Sequence, residues 1–497
     1  MATPPCLPRL CYHAPDPLDQ GAVLTRADGQ IQKLEAALTA HGQGHVLDFW
    51  PGLDPRTRSQ FLDQLERICT QLADWKAGVD RALKGLTDPH RPELKPIPVV
   101  ALPEHGGDPA QRRAATKAGL KVLGEGRVAV FVVAGGQGTR LGFSGPKGAF
   151  PVGPVTDRSL FALQAQKIRR LARAQGYSVP WYVMTSPATD SETRTLFQEN
   201  QFFGLDPSDV MIFPQLQIPA CDFEGRLILE APGVVSEAPN GHGGALVALA
   251  DSGALDDMSG RGIDRIFYYQ VDNPLIRMAD PLFLGLHEME HAEMSCKVMR
   301  RTDPAEKVGV LANIDGQVGI VEYTEIQEPE RSLADSEGDL VFWPGNLAIH
   351  VFSTDFVRRV AAEASTLLPY HLSAKRIPYV DSTGQTVAPD EPNGYKLERF
   401  VFDALPAAAR VAVLEVRTTE EFAPIKNAEG KDSPASSRQA VTEQNRRWLE
   451  AAGLKLPGDT DAIEIDHAQL DSAEDVQALG ARTLEEAASM IRVSKQE

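Results

Sequence analysis

The sequence lacks the marks of a membrane-spanning or secreted protein. Its 497 residues contain no apolar run long enough to cross a bilayer. Residues 1–10 show no charged segment followed by a long apolar stretch, so we expect no secretory signal. The cysteines are few and have no paired spacing: Cys6, Cys11, Cys69, Cys221 and Cys296. We therefore predict reduced thiols and a cytoplasmic location.

The sequence also has fewer positively charged residues than negatively charged ones. The chain has 50 Lys and Arg residues against 68 Asp and Glu residues, and its formal net charge is -18 at pH 7. This balance argues against a general nucleic-acid surface. An anionic substrate must be held by local cations or a metal ion, because the average field repels it. We expect no nucleic-acid or membrane partner, and the sequence gives no oligomeric state.

Familiar short motifs are missing or incomplete. No Gly-x-x-x-x-Gly-Lys-Ser/Thr P-loop occurs, and Gly136, Gly138 and Gly142 have the wrong spacing for a dinucleotide-binding Gly-x-Gly-x-x-Gly. His287-Glu-Met-Glu-His291 matches a zinc-protease motif, but a zinc site also needs a third ligand farther along. Glu293 is too near to serve, so we do not assign zinc to this segment.

The strongest signal that is present lies in residues 128–150. Residues 128–134 are continuously apolar and rich in β-branched side chains, which predicts a strand buried on both faces. Glycines cluster directly after this strand, and Arg140 and Lys147 add positive charge. Backbone amides in such a loop can form an anion-binding nest. The stretch predicts a polyphosphate site, and a purely structural glycine turn is the alternative.

The surrounding chain alternates between strand and helix patterns, which predicts a doubly wound α/β layer with ligands at the carboxyl ends of its strands. Two further segments indicate antiparallel hairpins, one of them with a turn at residues 313–316. The predicted elements are helices at 159–174 and 190–200, strands at 128–134, 180–185, 210–213 and 266–271, and hairpins at 227–230 and 308–323.

Three regions are predicted along the chain. Residues 1–100 form a helical N-terminal region, and a proline-rich linker over residues 87–103 leads from it to the next helix. Residues 101–405 form the nucleotide-binding domain, and residues 406–497 form a small α/β C-terminal domain. In that last region we predict a helix at 436–452, a strand at 462–465 and a final helix capped by Ser472 and Asp475. The acidic residues Asp459, Asp461, Glu464 and Asp466 are expected to form a solvated face.

A strand-end carboxylate is the candidate metal ligand. Asp272 follows the apolar strand over 266–271 and precedes Asn273. A carboxylate there can hold Mg²⁺ that bridges the phosphates of a nucleotide. A lone aspartate at such a position is often only a helix cap. The nearby glycine loop favours the metal role.

Several other residues are suited to nucleotide or sugar binding. The glycine-rich loop over residues 238–245 offers backbone amides and the imidazole of His242, and Gln215 can bond a base edge. Glu322 can accept from sugar hydroxyls, and Asn346 can both donate and accept. A turn, a surface amide or a cross-strand pair is the ordinary alternative for each of these.

Two lysines in loop-like segments are candidates for charge neutralisation. Lys396 lies in Pro-Asn-Gly-Tyr-Lys-Leu-Glu-Arg, and Lys426 lies in Ala-Pro-Ile-Lys-Asn-Ala. A loop lysine is usually just solvated. A reaction between two polyanions, however, needs several cations more than it needs a general base.

These segments together resemble one enzyme family. Gly-Gly-x-Gly-Thr-Arg-Leu with a later Pro-Lys is similar to the signature of sugar-1-phosphate nucleotidyltransferases. From about residue 30 to residue 431 the chain resembles eukaryotic-type UDP-N-acetylglucosamine pyrophosphorylases of the wider UDP-sugar pyrophosphorylase family. The segments that carry the likeness are residues 181–186, 203–205, 271–273, 392–394 with Lys396, 400–403 and 426–428.

The resemblance implies a GT-A-type nucleotide-binding domain, a Mg²⁺ cofactor and a reversible reaction of UTP with a sugar 1-phosphate. A phosphate oxygen of the sugar 1-phosphate attacks the α-phosphorus of UTP in a single in-line displacement, and pyrophosphate leaves. The implied roles are nucleotide contacts from Ala134, Gly135, Gly136, Gln215, Gly241 and Asp272, phosphate contacts from Arg140, Lys147, Lys396 and Lys426, and sugar contacts from Glu322, Tyr323 and Asn346.

One position departs from the acetylglucosamine pattern. Those enzymes typically have Gly-Asn-Gly-Gly where this chain has Gly241-His242-Gly243-Gly244, and Gly-His-Gly resembles UDP-glucose and broad UDP-sugar enzymes. His242 is therefore a candidate sugar-side residue. We expect N-acetylglucosamine 1-phosphate as the substrate, with a UDP-glucose or broad-specificity enzyme as the runner-up. A regulatory protein that binds nucleotide sugars without turnover is the non-enzyme alternative.

Overall fold

The computed structural model describes residues 17–87, 92–457, 460–480 and 486–495. Cys6, Cys11 and Asp459 lie outside the described residues. The chain packs into two units, one of residues 1–88, 218–238 and 372–397, the other of residues 89–217, 239–371 and 398–497. The three-region division stays a prediction. Within the described residues, no helix is both long and apolar enough to cross a membrane.

The α-helices begin and end as follows: α1 Pro17–Ala40, α2 Pro55–Thr87, α3 Pro109–Gly124, α4 Leu160–Gln175, α5 Asp190–Glu199, α6 Gly244–Asp251, α7 Ala254–Gly260, α8 Pro281–Met289, α9 Thr354–Ala362, α10 Ala364–Leu367, α11 Thr418–Glu421, α12 Pro434–Ala451 and α13 Ala473–Leu479. The strands are β1 Leu94–Lys95, β2 Val128–Val133, β3 Trp181–Thr185, β4 Val210–Pro214, β5 Gln217–Pro219, β6 Cys221–Asp222, β7 Leu229–Ala231, β8 Val234–Val235, β9 Glu237–Pro239, β10 Arg265–Gln270, β11 Met294–Arg300, β12 Val310–Ile314, β13 Gln317–Val321, β14 Pro344–Ser353, β15 His371–Lys375, β16 Tyr379–Val380, β17 Thr386–Val387, β18 Gly394–Glu398, β19 Val411–Glu415, β20 Thr460–Ile465 and β21 Ile491–Lys495.

The first unit is built on the long helix α2. Apolar side chains at helical spacing, among them Phe61, Leu65 and Ile68, form its buried stripe, which confirms the predicted helical pattern. Polar contacts tie α2 to the strands of the same unit, since Arg67 pairs with Glu237 at 2.7 Å. The strand β18, which carries Lys396, lies between β15 and β6 in a small sheet.

The second unit is a mixed α/β structure around a large sheet. The strand order is β1-β12-β14-β10-β2-β3-β4, with β11 beside β14 and β19 beside β11. The strands β10, β2, β3 and β4 run parallel, whereas β14 is antiparallel to β10. The hairpin of β12 and β13 confirms the one predicted over 308–323, and its turn contains Asp315 and Gly316 with positive φ.

Helices cover both faces of this sheet, and the central strand β2 is apolar at every position. Val128, Val130 and Val132 pack into one core with α3, α4 and α8, while Ala129 and Phe131 pack into the other with α6, α7 and α9. Alternate side chains of a strand point to opposite faces, so a continuous apolar run supplies two cores at once. The two-sided layer that the sequence pattern predicts is confirmed.

Two sequence-based expectations need correction. Residues 87–103 are not only a linker, because β1 within them pairs with β12 and Val100 bridges to Leu414 at the sheet. Glu464 is not part of a solvated face. It is buried, it accepts the backbone N–H groups of Val155 at 3.0 Å and Thr156 at 2.9 Å, and it pairs with Arg158. Local charge pattern cannot reveal that a carboxylate accepts from backbone N–H groups so far away in sequence.

Candidate functional site

The first glycine loop leaves the carboxyl end of β2 and folds back on itself. Gly138 donates to the carbonyl of Gly145 at 3.0 Å, and Lys147 N–H donates to the carbonyl of Gly136 at 2.9 Å. A Cβ at Gly135 would lie 3.2 Å from the backbone of Ser186, whereas a Cβ at Gly136 would meet nothing within 4 Å. Gly136 is thus exposed backbone with open space beside it, which is what an approaching phosphate requires.

Lys147 and Asp272 face each other across the ends of two adjacent strands. The Lys147 Nζ lies 3.6 Å from Asp272 Oδ2 and donates to the carbonyl of Ile425 at 3.2 Å. Both side chains are largely buried, at 20% and 11% exposure. The parallel pairing of β2 and β10 places these two groups at the same edge of the sheet. Arg140, by contrast, is exposed, and no ion pair to it is present among the described residues.

The second glycine loop packs against the backbone that follows β18. Gly241 has φ +58°, and a Cβ there would lie 2.4 Å from the carbonyl oxygen of Arg399. A Cβ at Gly243 would lie 2.6 Å from the backbone of Phe400, and Gly243 N–H donates to Arg399 at 2.8 Å. These glycines allow the close approach that holds His242 in place.

His242 is a neutral hydrogen-bond donor in this packing. Its Nδ1 accepts from the backbone N–H of Val401 at 3.1 Å, so the neutral ring carries its proton on Nε2. Burial lowers the pKa of His242 to about 4, and the positive charges of His371 and Lys426 act in the same direction. The ring stacks on Phe400, with centroids 5.2 Å apart.

A cavity of about 270 Å³ joins several of the predicted residues. His242, Asp272, Asn346 and Lys426 line it, together with Tyr269, Gln270, Asn273, Leu347, Ala348, Ile349 and Phe422. The cavity therefore combines a carboxylate, an ammonium, a neutral imidazole and amides with apolar walls. Phe422, Tyr269 and Gln270 were missed by sequence reasoning. Tyr269 and Gln270 sit in a strand that reads as core, and nothing marks Phe422 apart from its closeness to Lys426.

Among the described residues, five buried amide oxygens lack hydrogen-bond partners, and two of them, on Gln215 and Asn240, directly follow strands. Gln215 follows β4, is only 6% exposed, and has an unpaired Oε1. Asn240 precedes the second glycine loop and has an unpaired Oδ1. A buried acceptor without a donor costs free energy, so each points to a ligand or a water. Gln215 backbone N–H donates to Thr185 at 2.9 Å, which fixes its position at the sheet edge.

The predicted sugar-side residues lie around the end of β13 and the start of β14. Asn346 N–H donates to Gly309 at 2.9 Å, and its Oδ1 accepts from Ala348 at 3.1 Å. Glu322 is half-buried, and burial raises the pKa of its carboxyl, with Glu325 acting in the same direction. Tyr323 is exposed at 39%. Only Asn346 of these predicted residues lines the cavity.

Lys396 is not among the cavity residues. It is half-buried on β18, which belongs to the first unit. Its proposed contact with the reacting phosphates stays a prediction. The zinc motif that we declined has no metal geometry: His287 is buried and bonds Ser295 at 2.8 Å, and His291 lies beyond the end of α8.

The donor set at Asp272 fits a substrate-bridged magnesium ion rather than an all-protein cage. Among the described residues, no group of three His, Cys, Asp or Glu side chains is arranged to hold a metal. Mg²⁺, however, usually keeps waters and takes one or two carboxylates plus substrate phosphates. Asp272 supplies one such carboxylate beside the glycine loop.

A glycine-rich strand end, a strand-end carboxylate and converging lysines indicate a nucleotidyltransferase. Over residues 109–450 the chain matches the family model described as UTP–glucose-1-phosphate uridylyltransferase. The chain belongs to this family of UDP-sugar pyrophosphorylases.

Named relatives agree with this assignment. The chain is 40% identical to human UDP-N-acetylhexosamine pyrophosphorylase-like protein 1, over 86% of each chain. It is 34% identical to UDP-N-acetylglucosamine pyrophosphorylase of Saccharomyces cerevisiae, over 83% of this chain and 90% of the yeast one. Among solved structures, the uridine diphosphate N-acetylglucosamine pyrophosphorylase from Trypanosoma brucei, in complex with an inhibitor, is similar with a TM-score of 0.77 at 26% identity. That likeness covers 90% of this chain and 94% of the T. brucei chain.

Proposed function

We propose that this chain converts UTP and N-acetylglucosamine 1-phosphate to UDP-N-acetylglucosamine and pyrophosphate. The observation that carries the proposal is the cavity where Asp272, Asn346 and Lys426 converge with His242 of the second glycine loop. The yeast and T. brucei relatives bear the name of this activity. The domain around the large sheet is, on this proposal, of GT-A type.

The nucleotide is held by backbone and by amides. Ala134, Gly135 and Gly136 offer main-chain contacts at the end of β2, and the open space beside Gly136 admits a phosphate. The unpaired Oε1 of Gln215 accepts the imide N–H of uracil. Gly241 lies on the same side, in the second glycine loop.

The reaction is a single in-line displacement at the α-phosphorus of UTP. The attacking sugar phosphate is already ionised at neutral pH, so the chain needs positioning and charge neutralisation more than a general base. Lys147, Lys426, Arg140 and Lys396 supply positive charge. Mg²⁺ bound at Asp272 would neutralise phosphate charge.

The sugar site combines Asn346, Glu322 and Tyr323 with the Nε2–H of His242. Asparagine is typical at the position of His242 in acetylglucosamine enzymes. A UDP-glucose or broad UDP-sugar pyrophosphorylase is therefore the second candidate. The imidazole of His242 offers one donor, Nε2–H, because its Nδ1 already accepts from Val401 N–H.

A pyrophosphate-release assay tests both substrate and chemistry. The purified chain is supplied with UTP, Mg²⁺ and, in parallel, the 1-phosphates of N-acetylglucosamine, N-acetylgalactosamine, glucose and galactose. We expect the highest kcat/KM with N-acetylglucosamine 1-phosphate. Preference for glucose 1-phosphate favours the second candidate. Binding of UTP with no turnover on any sugar identifies a regulatory nucleotide-sugar-binding protein instead.

We also propose a cytoplasmic location and reduced cysteines. The free thiols of Cys69, Cys221 and Cys296 support the reduced state. Mass spectrometry of the alkylated protein from its native source checks the redox state, and a disulfide at any of these three cysteines would contradict it.

A further inference from the structure

Three charged side chains lie together in the core of the second unit, outside the cavity. Lys297 on β11 is fully buried, and its Nζ lies 2.8 Å from Asp280 Oδ2. The same Nζ donates to the carboxylate of Glu421, which is also buried. Removing three ionised groups from water has a large desolvation cost, and apolar side chains of similar size often stabilise a core as well. The cluster therefore calls for a reason other than stability.

Glu421 begins a segment that we call the strap, residues 421–426. The strap is bonded to the strand-end residues of β10 at three points. The Glu421 carbonyl accepts from Asn273 Nδ2 at 2.7 Å, Ala423 N–H donates to Asn273 Oδ1 at 3.1 Å, and Ile425 N–H donates to the Asp272 carbonyl at 3.0 Å. The strap thus runs directly alongside the candidate metal ligand.

The far end of the strap reaches the cavity. Phe422 and Lys426 line the cavity, and the Ile425 carbonyl accepts from Lys147 Nζ at 3.2 Å. One segment therefore carries one candidate catalytic lysine and orients the other. A shift of the strap would move both cations relative to Asp272.

Backbone bonds, apolar packing of the buried Ile425 in the core around β2, and the ion cluster all hold the strap. Asn273 is next to Asp272, and Ser437, which donates to the Ala423 carbonyl at 2.7 Å, lies on α12. The Glu421 carboxylate is paired with Lys297 on β11 and, through Lys297, is linked to Asp280 at the N-terminus of α8, where Asp280 accepts from Leu282 N–H at 3.2 Å. The ion cluster thus holds the first residue of the strap.

We propose that Lys297, held by Asp280, is a positioning residue that sets the strap through Glu421 and so places Lys426 and Lys147 for the reaction. This inference rests on the proposed function. None of the three clustered side chains touches substrate on this account. Their effect on turnover passes mainly through Lys426, which the strap carries, since Lys147 is also paired with Asp272.

Lys297→Met tests the proposal, because methionine is similarly long and unbranched but cannot pair with Glu421. We expect kcat per active site to fall at least tenfold and KM for UTP to change less. The stoichiometry of UTP binding gives the concentration of active sites. In a Lys426→Ala background the same substitution should reduce kcat less than threefold further. Its effect on Tm should be the same in both backgrounds.

Tyr182→Phe is the matched control for lost stability. Tyr182 is equally buried and donates to Asp257 at 2.6 Å, away from the strap. The Tyr182→Phe substitution should lower Tm without changing kcat per active site. If Lys297→Met does not fold, Glu421→Gln and its double variant with Lys426→Ala replace it. The positioning role would be overturned if Lys297→Met left kcat per active site unchanged. It would also be overturned if the fold-losses in kcat of Lys297→Met and Lys426→Ala multiplied in the double variant. A wild-type protein without pyrophosphate release would instead overturn the proposed function.

Discussion

At the scale of single residues, Lys147 is the cation whose position is most fully defined. It lies between the carboxylate of Asp272 and the carbonyl of Ile425, at the end of the first glycine loop. Both partners are acceptors, so the ammonium is held in place before any substrate arrives. Preorganised charge of this kind lowers the free energy of a transition state without reorganisation during the reaction.

Lys147→Ala should therefore reduce turnover and leave the fold intact. We expect kcat to fall by about 100-fold or more, since that is the typical cost of losing one preorganised donor at a reacting group. Thermal unfolding should change little, because Lys147 keeps 20% exposure and is not a member of the two apolar cores. Lys121→Ala, an exposed lysine on α3, is the control. Near-wild-type activity of Lys147→Ala would contradict the assigned role.

His242 predicts a pH dependence of stability. Burial holds its pKa near 4 in the folded protein, below its ordinary value of 6.5. The unfolded chain therefore binds a proton between pH 6.5 and 4 that the folded chain does not bind, so stability decreases as pH falls through this window. The decrease approaches about 1.4 kcal/mol per pH unit at its steepest.

His242→Asn should remove this contribution. Urea unfolding of both proteins at pH 7 and pH 5 measures the effect, and the variant should lose less unfolding free energy between the two conditions. His287 and His350, whose pKa values burial also lowers, are common to both proteins and cancel in the comparison. Equal losses in the two proteins would show that His242 is not buried as a neutral ring. The same variant also reports on sugar preference.

At the scale of elements, the two glycine loops use glycine for different reasons. In the second loop the glycines let backbone pack on backbone, as the 2.6 Å approach at Gly243 shows. In the first loop Gly136 has no neighbour within 4 Å of a Cβ position. Its lack of a side chain leaves room for a ligand rather than for the protein itself.

Two alanine substitutions separate these uses. Gly243→Ala should destabilise the fold by about 1–3 kcal/mol, the usual cost of overpacking. Gly136→Ala should leave the unfolding free energy close to wild type and weaken UTP binding at least tenfold. Chemical denaturation and calorimetric titration with UTP measure the two quantities. Unchanged UTP affinity in Gly136→Ala would place the phosphates elsewhere.

Elements with a strong local pattern could be predicted from the sequence, and long-range contacts could not. The strand β2, the helix α4 and the hairpin of β12 and β13 follow from apolar periodicity and turn residues. The strand β1 has only two residues in a proline-rich segment, so its pairing with β12 leaves no periodic signal. The same reason explains Glu464, whose backbone N–H donors, Val155 and Thr156, lie 309 and 308 residues away in sequence.

The residues of the candidate site likewise fall into two groups, those that local sequence patterns mark and those that only long-range contacts define. Glycine loops and strand ends are local patterns, and they mark Gly136, Lys147, Asp272 and His242 as candidates. In the structure Lys147 lies 3.6 Å from Asp272, and Asp272 and His242 line one cavity. The strap is defined by the contacts of Glu421 with Asn273 and Lys297, which are distant from it in sequence. Nothing in the local sequence marks a lysine on an interior strand as part of an ion cluster.

At the scale of the whole molecule, an acidic chain binds two polyanions. With a net charge of -18, the average field opposes binding, and local cations, together with the metal ion that we propose, offset it. We expect activity to require a divalent cation: EDTA should abolish pyrophosphate release, and added Mg²⁺ should restore it. Thermal unfolding without nucleotide should be unaffected by EDTA, because the described residues include no structural metal cluster. Full activity in EDTA would exclude the metal role of Asp272.

The central claim is that UTP binds with its phosphates on the first glycine loop and its base at Gln215. A crystal structure of the protein with UTP and Mg²⁺ tests it most directly. We predict phosphate oxygens within hydrogen-bond distance of the Gly136 backbone and Lys147 Nζ, a metal ion bound to Asp272, and the uracil edge against the Gln215 amide. Density for the nucleotide at any other place, with the glycine loop empty, would contradict the account.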